Sequence, residues 1–350
     1  MMTPALTEKE RFLNTLLGKG ADRFPYFDLE PAEDTLECWR REGFPAGCSM
    51  AEFFGLEAHH SAGLMLRSFP YYREAPGLLH DPTAFDRHYH PDQPGRFEPE
   101  FQRKCREAAQ SGKVVYTDAW GGGFLQMLGV HDWNSFASAM YALKEDPSTV
   151  ETLVERTVDF YCVLLDRLLT EVTVDYATFY EPIASNHCPV ISPAMFRHFV
   201  LPGYRKVINL LARRGVRLRI LCTTGGNLSV LLPDLVEAGI NGFWISNIRD
   251  AGMNYSQLRR TYGTDIALIG GIDATSLAQD ENAVRRAVAE TVPGLLRDGH
   301  YLPCLDDRPR SNHSFRLYRY FRRLLEEIAL YSDKKERYRH SNGYFRNGAP

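Results

Sequence analysis

From about Tyr176 onward the chain repeats one rhythm: a short apolar run, then a helical pattern, then another short apolar run. The runs are Tyr176–Tyr180, Val216–Cys222, Gly242–Ser246, Ile266–Gly270 and Tyr301–Cys304. Strands of this length separated by helix-length segments form parallel β/α units, because a parallel pair needs a crossover long enough to hold a helix. Two earlier runs, Arg23 to Phe27 and Lys113 to Thr117, bring the expected strands to seven. An eighth is expected within the irregular stretch from Phe44 to Gln110.

The helices between carry their own boundaries. Thr7-Glu8-Lys9-Glu10 reads as a capping box ahead of Phe12, Leu13, Leu16 and Leu17. Asp146-Pro147 opens a long helix reaching about Glu171, and Ser192-Pro193 opens another. Gly215 and Gly239 stand where a left-handed residue ends a helix.

Such a series closes into an eight-strand barrel or stays an open doubly wound sheet. The turn after the first expected strand, Phe27-Asp28-Leu29-Glu30-Pro31, contains no G-x-G-x-x-G, so the dinucleotide-binding open sheet is disfavoured. The expected fold is therefore α/β, a single-domain (β/α)8 TIM barrel over residues 1–333. The segment 44–110 is too long for a plain connection and reads as an insertion over one barrel mouth. The tail 334–350, with Lys334, Lys335, Arg337, Arg339 and Arg346, reads as polar and loose.

Composition removes several classes of function. A net charge of −3 and a pI near 6.4 leave no basic excess for nucleic acid or an anionic membrane. Seven scattered cysteines without a C-x-x-C pair argue against a disulfide framework and a zinc ribbon, and fit a reducing cytoplasm. No apolar leader precedes Glu8-Lys9-Glu10, and no later run approaches a membrane span, so a cytoplasmic protein is expected.

In a barrel of this type the chemistry sits at the carboxyl ends of the strands. Those ends carry Asp28 and Glu30, Asp118 and Trp120, Glu181, Cys222-Thr223-Thr224, Asn247, Asp273 and Asp306-Asp307, with His187 and His313 nearby. A carboxylate rim handles protons, binds a divalent cation, or holds a cationic ligand. Asp and Asn also end strands as ordinary helix caps, at roughly even odds. Glu181, Asp306 and Asp307 stand above that level because none directly precedes a helix start. Gly225-Gly226-Asn227 reads as a tight turn opening a helix after a strand, without the Lys-Ser/Thr of a P-loop.

Several segments match one family in order and spacing. Glu10-Arg11-Phe12-Leu13, Asp22-Arg23-Phe24-Pro25 and Glu37-Cys38-Trp39-Arg40-Arg41-Glu42-Gly43-Phe44-Pro45 form the first group. Pro189 to Phe196, Gly226-Asn227 with Leu232-Pro233, Glu237-Ala238-Gly239, Ala251-Gly252-Met253 and Ile269-Gly270-Gly271-Ile272-Asp273 form the second. Over residues 10 to 325 the chain resembles the uroporphyrinogen decarboxylase and cobamide-dependent methyltransferase superfamily. The resemblance implies a (β/α)8 barrel with its site at the carboxyl mouth.

It also implies one of two chemistries. One branch removes carboxyl groups from a porphyrinogen without a cofactor and brings an arginine-rich N-terminal segment to its substrate. Tyr26-Phe27-Asp28-Leu29-Glu30 occupies that place here. The other branch moves methyl groups to or from a corrinoid protein or a thiol, using zinc on a His-x-Cys pair and a later Cys. Those positions fall on Thr223, Gly225 and about Asp307, so the soft ligands are missing and the metal candidates become Glu181, Cys222 and Asp307. Glu181, and the segment Tyr301-Leu302-Pro303 through Asp306-Asp307-Arg308-Pro309, resemble the pattern of unassigned relatives.

The first expectation is thus a methyltransferase moving a methyl group from a small methoxylated or methylamine-like substrate to a corrinoid protein. Glu181, Asp306, Asp307 and Asp28 are the expected catalytic groups. Glu30, Asp118, Trp120, Asn186, His187, Asn227, Asn247, Asp273 and Tyr301 are the expected substrate contacts, and a divalent metal such as zinc and a homodimer are further expectations. The alternatives are a porphyrinogen-type decarboxylase that needs no cofactor, and a barrel that binds a ligand without catalysis. Asp28, Glu181, Asp273 and Asp306 are expected to converge on a common hollow.

Overall fold

The computed structural model describes residues 6–57, 59–61, 89–93, 96–97, 100–223 and 225–342. They gather into two compact units, a terminal one comprising Met1–Ala58 and Asn254–Pro350 and a central one comprising His59–Met253.

The terminal unit begins with α1 (Glu8–Leu16), α2 (Glu33–Arg41) and α3 (Met50–Phe54). The expected capping box of α1 is present, with Thr7 and Glu10 each accepting from the other's backbone N–H. Arg11 leaves the amphipathic pattern of α1 and is buried, its fork held by Asp22 at 2.8 and 2.9 Å and by Glu57 at 2.9 Å. The expected strand from Arg23 to Phe27 does not form. The segment runs extended and buries Phe24 and Phe27, but Pro25 has no N–H to donate. Glu57 N–H donates to Tyr26 O at 2.6 Å, and no strand pairs with the segment among the described residues.

The central unit carries β1 (His59–Ser61), α4 (Phe101–Gln110), β2 (Val114–Asp118), α5 (Phe124–Met127), α6 (Trp133–Glu145), α7 (Pro147–Glu171) and β3 (Tyr176–Tyr180). It continues with α8 (Pro193–Met195), a π turn (Phe196–Val200), α9 (Leu201–Arg213), β4 (Leu218–Thr223), α10 (Leu232–Ala238) and β5 (Gly242–Ile245). β1 to β5 pair in chain order, every pair parallel. β1 is the strand expected somewhere within 44–110, while residues 62–88 of that expected insertion lie outside the described residues.

α7 spans the residues its punctuation predicts, because Asp146 caps it and Pro147 presets the first turn. Its apolar residues Val150, Leu153, Val154, Tyr161, Leu164, Leu165 and Leu168 recur on one face and are buried. Gly225-Gly226-Asn227 does not open a helix, since α10 starts only at Leu232.

The terminal unit resumes with α11 (Tyr255–Tyr262), β6 (Ala267–Ile269), α12 (Glu281–Asp298), β7 (Tyr301–Leu302) and α13 (Phe315–Asn342). β6 and β7 are parallel, and an isolated bridge between Ile272 and Leu305 extends the pairing. α13 continues to Asn342, so residues 334–342, expected to be loose, are helical. The α/β class and the run of parallel units expected of a (β/α)8 chain are what the structure shows. Among the described residues no helix is long and apolar enough to cross a membrane.

Candidate active site

In a parallel sheet, residues paired across strands point to the same side and alternate along each strand. The register therefore sorts the central unit into two faces. Val115, Thr117, Ala177, Phe179, Leu221, Thr223, Phe243 and Ile245 share one face and are all buried. Asp118 pairs with Thr178, Thr178 with Ile220, Tyr180 with Cys222, and Cys222 with Trp244, which places these residues on the other face.

The second face opens toward the carboxyl ends of the strands. Ile220 and Gly242 are buried, Thr178, Cys222 and Trp244 are half-buried, Tyr180 is 36% exposed, and Asp118 is exposed. Asp118 accepts hydrogen bonds from the backbone N–H groups of Trp120 and Gly121, both at 3.1 Å. Surrounding protein desolvates its carboxyl and raises its pKa, and these two N–H groups offset part of the rise. Burial also pushes the Cys222 thiol up, helped by the negative charge of Asp118.

Glu181 belongs to the closed layer. It is 1% exposed and accepts from Trp120 Nε1 at 2.8 Å, from Phe124 N at 3.1 and 3.3 Å, and from Tyr204 Oη at 3.2 Å. Trp120 and Tyr204 are fully buried with ring centroids 4.2 Å apart, and Tyr204 stacks on Phe179 at 5.2 Å. Burial raises the Glu181 pKa to about 7 against the pull of these donors. Two glycines make the packing possible. A Cβ on Gly203 would lie 3.0 Å from the Trp120 ring, and one on Gly123, at φ +94°, would lie 2.7 Å from Glu181 Oε1.

Phe124 is the first residue of α5, so Glu181 caps a helix 57 residues away. The same holds for two other candidates. Asp306, buried at 3%, accepts from Ala274 N at 2.9 Å, the first residue of a 3-10 turn 32 positions earlier. Glu30 accepts from Met50 N at 2.9 Å, the first residue of α3. The expectation that Glu181 and Asp306 stand apart from capping is thus corrected: their caps are distant in sequence.

The terminal unit holds the remaining carboxyls. Asp28, 8% exposed, accepts from Tyr318 Oη and from Leu29 N, both at 3.1 Å. Burial raises the pKa of Asp28 to about 7 against the pull of the Arg322 guanidinium, and burial likewise raises Asp306 to about 7. Asp273 caps its own 3-10 turn through Thr275, and Asp307 pairs with Arg310. His313 is buried, which lowers its pKa, and its Nδ1 accepts from Arg310 N at 3.2 Å.

Other expected contacts are placed as follows. Trp120 and Tyr301 are packed inside, the Tyr301 hydroxyl donating to Gly270 O at 2.8 Å, so neither presents a surface to a ligand. Asn186 and His187 are exposed on the loop after β3. Asn227 forms a turn with Ser229 N at 3.0 Å, and Asn247 is half-buried at φ +47°. Thr178, Tyr180 and Trp244 on the open face are residues the sequence reading passed over. Period-two alternation from Asp118 and Cys222 across the register was the signal that finds them.

The metal candidates do not assemble. Glu181 sits in the closed layer and Cys222 on the open face, with a raised thiol pKa that disfavours the thiolate a zinc ion needs. Among the described residues no three His, Cys, Asp or Glu side chains come together in a metal-holding group.

No curated protein matches the chain. A methyltransferase from Methanosarcina mazei matches with a TM-score of 0.61 at 16% identity, covering 92% of this chain and 99% of that one, which establishes the shared fold. A B12-independent methionine synthase from Shewanella sp. W3-18-1 in complex with selenomethionine is more distant, with a TM-score of 0.41 at 14% identity over 67% of this chain and 66% of that one. The family model described as uroporphyrinogen decarboxylase (URO-D) matches residues 125–302, from within α5 to the end of β7. With just over half its length in that match, the chain belongs to the uroporphyrinogen decarboxylase (URO-D) family, a superfamily of enzymes.

Proposed function

We propose that this enzyme is a methyltransferase that takes a methyl group from a small O-methyl or N-methyl compound and passes it to a corrinoid carried by a partner protein. The observation that carries the reading is the open face of the central unit, where exposed Asp118 shares one side of the sheet with Thr178, Tyr180, Cys222 and Trp244. The fold shared with the Methanosarcina mazei methyltransferase supports it.

A methyl group leaves as a cation equivalent, so the heteroatom it leaves behind gains an electron pair. The protein's task is to hold the substrate, exclude water from the methyl group and manage charge at that heteroatom. The buried floor of Ile220 and Gly242 excludes water, the aromatic rings of Tyr180 and Trp244 supply contact area, and Asp118 is the charged group on the face. The corrinoid, when bound, supplies the nucleophile that accepts the methyl group. A porphyrinogen bearing many carboxylates fits this face poorly, since the negative charge on Asp118 repels it.

The test is spectroscopic. Purified protein is mixed with reduced cobalamin and a panel of methoxyarenes and methylated amines, and the corrinoid absorbance is followed. Conversion to the methylated spectrum with at least one donor supports the reading. No conversion across the panel, together with carboxyl loss from a porphyrinogen, overturns it.

A further inference from the structure

The charged group of the open face is held in place from behind the sheet. Asp118 ends β2, and each of its carboxylate oxygens accepts one backbone N–H, Oδ1 from Trp120 and Oδ2 from Gly121, both at 3.1 Å. Bonds to both oxygens fix the plane of the carboxylate as well as its position. They also favour its charged form, against the burial that raises its pKa. Both donors belong to the loop that follows β2, so Asp118 is only as well placed as that loop.

The loop has little order of its own. Gly121, Gly122 and Gly123 follow one another at φ +59°, +98° and +94°, a path that glycine takes readily and that a run of glycines is equally free to leave. Its order comes from its ends. Before the glycines the Trp120 indole Nε1–H donates to Glu181 Oε2 at 2.8 Å, and after them Phe124 N–H donates to Glu181 Oε1 at 3.1 Å. One buried carboxylate therefore grips both ends of the glycine run. Ala119 N–H adds a bond to Thr178 O at 2.8 Å, and the Tyr161 hydroxyl adds one to Gly121 O at 3.3 Å. The third bond to Glu181, from Tyr204 Oη at 3.2 Å, comes from α9 and lies outside the loop.

We propose that Glu181 is a positioning residue for the open face: by gripping the glycine loop at Trp120 and Phe124, it holds the two N–H groups that set the Asp118 carboxylate. The proposal rests on the reading of Asp118 as the charged group that manages the substrate. Glu181, at 1% exposure, reaches no substrate itself and acts through Trp120. When its grip is weakened the glycine run leaves its single path, the two N–H groups lose their aim, and the charged form of Asp118 loses their support.

The test reads Asp118 directly in the whole chain. A water-soluble carbodiimide with excess amine couples to the protonated form of a carboxyl, and peptide mass spectrometry gives the rate at Asp118 relative to that at exposed Glu145 in the same sample. The ratio of the Asp118 rate at pH 7 to that at pH 5 follows its protonation and cancels its accessibility. The expected result is a rise of that ratio by at least about threefold in Glu181→Gln and in Trp120→Phe, as befits weakened hydrogen bonds to a charged group. Tyr204→Phe, which keeps the ring and removes a bond to Glu181 outside the loop, is expected to leave the ratio unchanged, although it destabilises the same buried layer. Removing the Glu181 charge by itself pushes the ratio down, so a rise is no direct electrostatic effect of the substitution. An unchanged ratio in either loop variant, or an equal rise in Tyr204→Phe, overturns the proposal.

The corrinoid assay separates this inference from the reading of the activity. Glu181→Gln is expected to slow methyl transfer in the wild-type background and to add little to Asp118→Asn, because it acts through that carboxylate. Methyl transfer with an unchanged labelling ratio keeps the methyltransferase and overturns the positioning role. A raised ratio with carboxyl loss from a porphyrinogen and no methyl transfer keeps the positioning role and overturns methyl transfer.

Discussion

Trp120 and Glu181 stand 61 residues apart in sequence, and the indole Nε1–H of one donates to the carboxylate of the other at 2.8 Å inside a fully buried layer. Tyr204 Oη and Phe124 N aim at the same carboxylate. Replacing Glu181 by Ala leaves three buried donors without an acceptor. Each orphaned group costs about 1–3 kcal/mol, so Glu181→Ala is expected to lose at least about 3 kcal/mol of stability in urea unfolding, and Glu181→Gln much less. An alanine variant as stable as wild type would refute the role of Glu181 as a tie between α5, α9 and β3.

The raised carboxyls set a pH dependence with a definite sign. Asp28, Glu181 and Asp306 each titrate at about 7 in the folded chain, above their ordinary values of 3.8, 4.5 and 3.8. Between those values and about 7 the folded state holds protons that the unfolded state has released. Their contribution to stability is therefore complete below about pH 4, declines as pH rises and is gone above about pH 7, by at most about 1.4 kcal/mol per pH unit for each group. The stability difference between wild type and Glu181→Gln, measured from pH 5 to 8, is expected to move against wild type as pH rises and to flatten above 7. A difference that stays constant over that range would contradict the raised value for Glu181.

Gly123 tests the same layer from the backbone side. Its φ of +94° disfavours any L side chain, and an added Cβ would also meet Glu181 Oε1 at 2.7 Å and Pro182 Cδ at 2.7 Å. Gly123→Ala is expected to cost more than about 1 kcal/mol, beyond what helix or loop propensity explains. Gly129, also at positive φ but with open space around its Cβ position, is the control, and its alanine variant should lose less. Equal losses at the two sites would remove the steric part of this account.

Arg322 makes the opposite kind of prediction. It is 1% exposed, and none of its three side-chain nitrogens has a hydrogen-bond partner among the described residues, although its charge acts on Asp28 and it lies 5.6 Å from the Tyr26 ring. A buried cation without bonds is expensive, so an apolar chain of similar length is neutral or better there. Arg322→Met is expected to melt at or above the wild-type temperature. A loss exceeding about 2 kcal/mol would mean that the guanidinium is bonded in solution.

Much of the fold was legible because local signals agreed with one another. β3 and α7 fall on the residues their patterns predict, since a cap, a proline and a single apolar face all pointed to the same boundaries. The first expected strand failed because Arg23 to Phe27 has strand-like composition but its proline and its ties to Glu57 leave no ladder to join. The site was legible only to the level of strand ends. Asp118 and Cys222 were found there, yet Glu181 follows Tyr180 by one position, and one position reverses the face of a sheet. The capping roles of Glu181 and Asp306 were invisible for a different reason: the helices they cap begin far away in sequence, where no local motif records the pairing.

The π turn at Phe196–Val200 governs the phase of everything that follows it. One residue more or less in a helix swings its downstream part by about 100°. A single deletion inside the turn is absorbed by its becoming an α turn, whereas a deletion within Leu201–Gly203 would bring Arg205, now facing solvent, to the position of Tyr204 and drive a guanidinium into the Trp120 ring. The turn is accordingly the place in this helix that tolerates the loss of a residue, and a deletion scan should find single deletions at residues 201–203 more damaging than single deletions at residues 196–200.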